Sequence, residues 1–282
     1  MRNTLISILF SLLPMAALCR PLSLVVSIAP QKEALAAIAG DNATVRVLVP
    51  KGASPETYSP TAAEIRRLSD ADMLFTIGVP MEKALVPRIR QTAGGIQIVD
   101  TTARMKFREM EGGHSSHAHG AKDPHVWLSV DNMIVHAQNV SLALAKRDAE
   151  NADAYISRAN AYITRLKKLK GELAAEMAPL AGEKLLVFHP AFGYFLAQHG
   201  IAQVPVEMDG HEPTGKHLAE LTETVGALKV KALFVQPQSN KVLSESIAKM
   251  LSVSIMPLDP LPDEYSTGMK AIAKTILNAQ TK

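Results

Sequence analysis

Residues 149–179 read AENADAYISRANAYITRLKKLKGELAAEMAP, and within them Tyr155, Ala159, Tyr162, Leu166, Leu169, Leu173 and Met177 recur at steps of three and four. That spacing lays one apolar stripe along a continuous helix. A helix of about 28 residues would be ~42 Å long, which is long for one globular domain and long enough to bridge two. On either side of it the pattern alternates short β-rich runs with helical stretches. LVVSIA (24–29), VRVLV (45–49), MLFTI (73–77) and IQIV (96–99) precede it, and KLLVF (184–188), VPV (204–206), ALFV (232–235) and SIM (254–256) follow. Strands separated by helical patterns predict βαβ units around parallel sheets, so the chain reads as an α/β protein of two lobes with a cleft between them. The expected boundaries are 21–148 for the first lobe, 149–179 for the linking helix and 180–282 for the second lobe.

The whole chain has 282 residues, enough for one large or two ordinary domains of ~100–200 residues. Hydrophobic residues make up 47% and charged residues 20%, a balance that excludes a disordered or collagen-like chain. The net charge is +3, and losing Arg2 and Arg20 with the N-terminal segment would leave +1. The longest basic cluster, Arg165, Lys167, Lys168 and Lys170, is short, so nucleic acid is not expected as a partner. Residues 1–20, MRNTLISILFSLLPMAALCR, place Arg2 before an apolar run from Leu5 to Leu18 with Ala16 and Ala17 near its end, the layout of a secretory signal peptide. Ser7, Ser11 and Pro14 interrupt the run, which falls short of the ~20 apolar residues of a membrane span. The mature protein is therefore expected to be soluble, exported and periplasmic. Cys19 is the one cysteine, and lipid attachment there is the rival reading, disfavoured by Leu18 just before it. Cleavage at or beyond Cys19 removes thiolates from the chain and leaves nitrogen and oxygen as the metal donors.

In α/β sheets ligands gather at the carboxyl ends of strands. Four candidates follow strands or sit in Pro-marked loops: Glu56 in GASPETYSP, His125 in DPHVWLS, His189 in LLVFHPAFGYF and Asp259 in SIMPLDPLP. Two imidazoles and two carboxylates suit zinc, manganese or ferrous iron. Pro55, Pro124, Pro190 and Pro260 restrict the loops that carry them. Taken singly each has a bland alternative: solvated loop acids for Glu56 and Asp259, a turn or cap residue for His125, a hydrogen-bonded core histidine for His189. GGHSSHAHG adds His114, His117 and His119 just before His125, either a weak zinc-collecting tract or a solvated loop. GHEPTGKH (210–217) has the spacing of a phosphate loop but ends in His217 where a hydroxyl is needed and contains Pro213, so it reads as a turn entering a helix. His211 and His217 are left without a role.

SPETYSPTAAEIRRLSDADMLFTIG, DPHVWLS, FHPAFGYFLAQHGI and LDPL followed by Tyr265 resemble, in order and spacing, the zinc- and manganese-binding proteins of bacterial ABC transporters, the cluster A-I metal receptors. The likeness runs from about Ser23 to Leu277. SIAPQKEALAAIAGDNATVRVLVPKGASPETYSP resembles the family's opening lobe, and HEPTGKHLAELTETVGALKVKALFVQPQSNK its second-lobe segment. The resemblance implies two lobes joined by one long rigid helix, with one metal ion in the cleft held by two residues from each lobe. Carried over by position, His125, His189 and Asp259 are ligands. The first position departs, because the family usually has histidine where this chain has Glu56. The manganese-type members place a glutamate where this chain has His189, so the cargo implied is zinc, with manganese or iron as the alternatives. The histidine tract also resembles a loop of many zinc-type members. The function implied is a monomeric extracytoplasmic receptor that hands its metal to an ATPase-driven membrane permease and is not an enzyme. The alternatives are a surface adhesion module of the same fold and a periplasmic metallohydrolase, for which Glu212 is the nearby candidate base. Free imidazoles titrate near pH ~6.5, so metal affinity is expected to fall below about pH 6.

Overall fold

The computed structural model describes residues 20–92, 94–111, 122–208, 211–228 and 230–281. The first sheet contains β1 (Leu22–Val26), β2 (Ala43–Val47), β3 (Met73–Thr76) and β4 (Gln97–Asp100), all parallel, in the order β2-β1-β3-β4. Its helices are α1 (Lys32–Ala39), α2 (Ala62–Leu68) and α3 (Glu82–Thr92). After α4 (Val130–Arg147) and α5 (Ala152–Met177) comes the second sheet, β5 (Lys184–Val187), β6 (Ala202–Pro205), β7 (Ala232–Val235) and β8 (Ser254–Pro257). It repeats the pattern, again parallel and ordered β6-β5-β7-β8. Helices α6 (Gly193–Ala197), α7 (Gly215–Leu228), α8 (Lys241–Met250) and α9 (Tyr265–Thr281) complete the chain.

Every expected strand is present, with ends moved by up to three residues. LVVSIA stops early because Pro30 opens a 3-10 turn at Ala29–Gln31 and takes the chain off the sheet edge. The long helix α5 has 26 residues, and single 3-10 turns at Ala149–Asn151 and Ala178–Leu180 flank it. All seven stripe residues are buried, joined by Ile163. The helix is no bare strut: α1, α4 and α9 all pack along it. The C-terminal helix α9 leaves the second sheet and returns to α5 because Tyr265, Met269, Ile272, Ala273 and Ile276 form a second buried stripe at helical spacing.

The second sheet is buried on both faces, and its side chains divide by the period of two. Leu185, Val187 and Phe234 join the core shared with the first lobe. Leu186, Phe188, Leu233 and Val235 form a separate core with Leu221 and Val225 of α7 and Ile247 and Ala248 of α8. In each sheet the chain passes from the first strand to a neighbour on one side and then crosses to its other side, so a switch point lies at the carboxyl ends of β1/β3 and of β5/β7.

Candidate metal centre

Glu56 lies in the loop from β2 to α2. Pro55 O accepts from Met81 N at 3.3 Å, and Glu56 N donates to Ser54 Oγ at 3.3 Å. The loop ends in a capping box: Thr61 caps α2, Glu64 returns to the Thr61 backbone N at 2.7 Å, and Tyr58 Oη donates to Glu64 Oε1 at 2.7 Å. These bonds pin both sides of Glu56, whose side chain stays partly exposed.

His125 opens the 3-10 turn that leads into α4, and Asp123 orients it twice. Asp123 Oδ1 accepts from the His125 backbone N at 2.9 Å and lies 2.7 Å from Nδ1. His189 comes two residues after β5, at the switch point, with Nδ1 2.8 Å from Glu207 Oε2. A carboxylate at Nδ1 selects the tautomer that carries its proton there and turns the Nε2 lone pair toward a metal.

Both Nε2 atoms converge on Glu56. Oε1 lies 3.0 Å from His189 Nε2 and 3.5 Å from His125 Nε2, and the two rings meet edge to face at 5.3 Å. The three donor atoms lie within 4.8 Å of one another. A tetrahedral zinc with bonds of ~2.0–2.2 Å spaces its ligand atoms about 3.3 Å apart, so the two contacts to Glu56 have the spacing of atoms that can share one ion. The cluster lines a cavity of about 190 Å³ walled by Trp127, Gln238 and Leu261.

The charges follow from this arrangement. Burial pushes the Glu56 carboxyl up, but the hydrogen bond from His189 and the charges of both imidazoles more than reverse this and hold it below its ordinary range. Burial pushes His189 down, yet hydrogen bonds to Glu207 and Glu56 and their charges raise it to about 9.

Asp259 takes a different position. It follows β8, and its Oδ1 accepts from Leu261 N at 2.9 Å and from Gln238 Nε2 at 3.3 Å. It borders an adjoining recess with Lys51 and Asp263, which pair at 2.6 Å between the lobes, and it does not join the three-residue cluster. Its loop is nonetheless tied to that of His125: Trp127 Nε1 donates to Pro260 O at 2.7 Å, and Tyr265 Oη donates to Trp127 O at 2.9 Å. His114, His117 and His119 lie outside the described residues. His211 and Glu212 are exposed, and neither they nor His217 line the cavity.

Two acids that orient the candidate ligands were not singled out from the sequence. Asp123 carried a signal in the Asp-Pro-His spacing, which lets an acid reach the backbone and ring two residues on. Glu207 carried none, because it meets His189 only through the pairing of β5 with β6 that sets Val187 beside Pro205.

Among the described residues no helix is long and apolar enough to cross a membrane. The chain is 27% identical over 261 residues to the zinc-binding lipoprotein AdcA of Streptococcus pneumoniae, covering 89% of this chain and 52% of that protein. It thus spans about half the length of the first curated relatives it matches. It is 26% identical over 226 residues to the iron ABC transporter substrate-binding lipoprotein MtsA of Streptococcus pyogenes, covering 78% of this chain and 73% of that one. A crystal structure of ZnuA superposes with a TM-score of 0.85 at 31% identity, over 92% of this chain and 99% of that chain. Residues 24–279 match the family described as ZnuA, zinc-uptake complex component A, periplasmic, and the chain belongs to that family.

Proposed function

We propose that this protein is an extracytoplasmic receptor that captures a divalent transition metal in the cleft, zinc before manganese or iron, and delivers it to the membrane permease of an ABC importer. The observation that carries the reading is the convergence of Glu56, His125 and His189, each imidazole pinned at Nδ1 by its own carboxylate. Two nitrogens at one ion favour zinc over the harder cations, and the zinc-binding relative AdcA and the zinc-uptake family point the same way, while the iron ABC transporter relative MtsA keeps iron as the alternative. Asp259 is the proposed fourth ligand, which requires its carboxylate to turn from Leu261 and Gln238 toward the ion. The lobes are 21–148 and 180–282, bridged by 149–179, and the receptor acts as a monomer. Residues 1–20 serve as the signal peptide of a periplasmic protein. The lipoprotein names of relatives make anchoring at Cys19 the alternative.

The receptor is not an enzyme on this reading. A metallohydrolase needs a base over the open metal position. The nearby acids Asp123 and Glu207 are spent on the imidazoles, and Glu212 is exposed away from the cavity. The test is a competitive zinc and manganese titration of the chelator-stripped protein beside Glu56→Ala, His125→Ala, His189→Ala and Asp259→Ala. One tight zinc equivalent, lost with either histidine, is expected. Absence of a tight site, or its survival in His189→Ala, overturns the proposal. The size of the Asp259→Ala loss decides whether the fourth ligand is assigned correctly.

A further inference from the structure

We propose that the Tyr194 hydroxyl is a positioning group for the metal, binding the His189 lobe to the backbone that carries Asp123 and thereby fixing the ring of His125. The inference rests on the metal-receptor reading above.

Tyr194 sits in α6, five residues after His189, and is 6% exposed. Its hydroxyl makes both of its bonds to the other lobe. It accepts from Arg108 N at 3.1 Å and donates to Asp123 O at 3.0 Å. Arg108 and Asp123 are themselves paired, with Asp123 N donating to Arg108 O at 3.0 Å, beside the antiparallel bridge of Glu109 with Lys122. One phenol oxygen therefore closes a ring of three hydrogen bonds where two chain segments meet. Burial pushes the phenol up to about 12, so it keeps the proton that it donates.

The Asp123 side chain, fully buried, is the next link. It accepts from the backbone N and the Nδ1 of His125, and that ring presents Nε2 to Glu56. Hydrogen bonds joined through the covalent frame of Asp123 thus link α6 to the ring of a proposed ligand. Packing holds the path in place: the Arg108 guanidinium lies over the Tyr194 ring at 5.8 Å and against Gly193, where an added Cβ would stand 2.3 Å from Nη1. Phe192 and Phe195 flank Tyr194 in FHPAFGYF and serve the core with hydrocarbon alone. At position 194 the hydroxyl is the part that hydrogen-bonds to the other lobe.

Loss of a partner that orients a metal-bound histidine costs roughly 10–100-fold in affinity, and Tyr194 acts one bond further out, so a loss of about 3–10-fold is expected for Tyr194→Phe. The experiment measures zinc dissociation constants by chelator competition for the full protein, Tyr194→Phe, Asp123→Asn, Glu207→Gln and the two double variants. Cobalt(II) visible spectra report ligand geometry, and melting of the metal-free forms reports folding. A residue that merely supports the fold would weaken zinc by the same factor in every background. A positioning role predicts that the Tyr194→Phe loss shrinks below about twofold in Asp123→Asn and keeps its size in Glu207→Gln, with an altered cobalt spectrum in the single variant. An unchanged zinc constant and spectrum in Tyr194→Phe, or equal losses in both backgrounds, overturns the proposal. A starting protein that binds no zinc tightly fails the receptor reading itself, and that arm separates the two failures.

Discussion

Raising the pH from 6.5 to 9 is expected to strengthen zinc binding on the order of 100-fold while weakening the metal-free fold. The cause is the proton on His189, raised to about 9 against the cost of burial by Glu207 at Nδ1 and Glu56 at Nε2. At pH 7 about 1% of that ring is neutral, so on the proposed ligand set zinc would have to displace a proton and would bind about 100-fold below its high-pH limit, roughly 2.7 kcal/mol. A free imidazole of pKa ~6.5 would lower affinity less than twofold at the same pH. Stability takes the opposite sign. A group whose pKa is raised on folding stabilises the fold fully below its unfolded pKa of ~6.5 and loses that contribution as pH rises through the folded value. The rise of ~2.5 units corresponds to about 3 kcal/mol. Zinc affinity by chelator competition and metal-free stability in urea should therefore move in opposite directions over one interval. Calorimetry in buffers of different ionisation enthalpy should find close to one proton released per zinc at pH 7.5 from this ring. Glu207→Gln should lower the affinity window and flatten both slopes. Affinity that is flat between pH 7 and 9, or metal-free stability that rises across that range, would refute the reasoning. The sequence alone suggested a fall only below about pH 6, and the window moves upward because two carboxylates hold the proton.

Two further substitutions probe the packing around the loop that carries Asp259, one across the seam between the lobes and one within the second lobe. Trp127→Phe removes the bond to Pro260 O and leaves that carbonyl buried without its donor, so denaturant unfolding should show a loss of about 1–3 kcal/mol; a loss under about 0.5 would mean that the bond does not hold the seam. Gly268→Ala would set a Cβ 2.1 Å from Pro262 Cβ, forcing α9 away from the loop after Asp259. Melting should report a destabilisation of about 1–3 kcal/mol, and a neutral result would show that the loop yields freely.

The elements of this fold and the three residues that meet in its candidate metal centre were legible from local patterns. The α5 stripe is visible because a helix places residues three and four apart on one face, so burial follows sequence spacing directly. The eight strands are short β-rich runs between turn residues, and Glu56, His125 and His189 stand where such runs end and proline restricts the chain. The return of α9 to α5 was not legible, since an apolar stripe states that a face is buried and not what buries it. The pairing of His189 with Glu207 across 18 residues, of Tyr194 with Asp123 across 71 and of Trp127 with Pro260 across 133 has no periodic trace. The same holds for the direction of Asp259, which sequence phrasing placed at the metal and the structure hydrogen-bonds to Leu261 and Gln238. Local periodicity and turn chemistry reach a few residues along the chain, and they determined the elements and the donor types. Which carboxylate meets which imidazole, and therefore how strongly a proton contests the metal, depends on how two sheets and a long helix pack, and that was decided only in three dimensions.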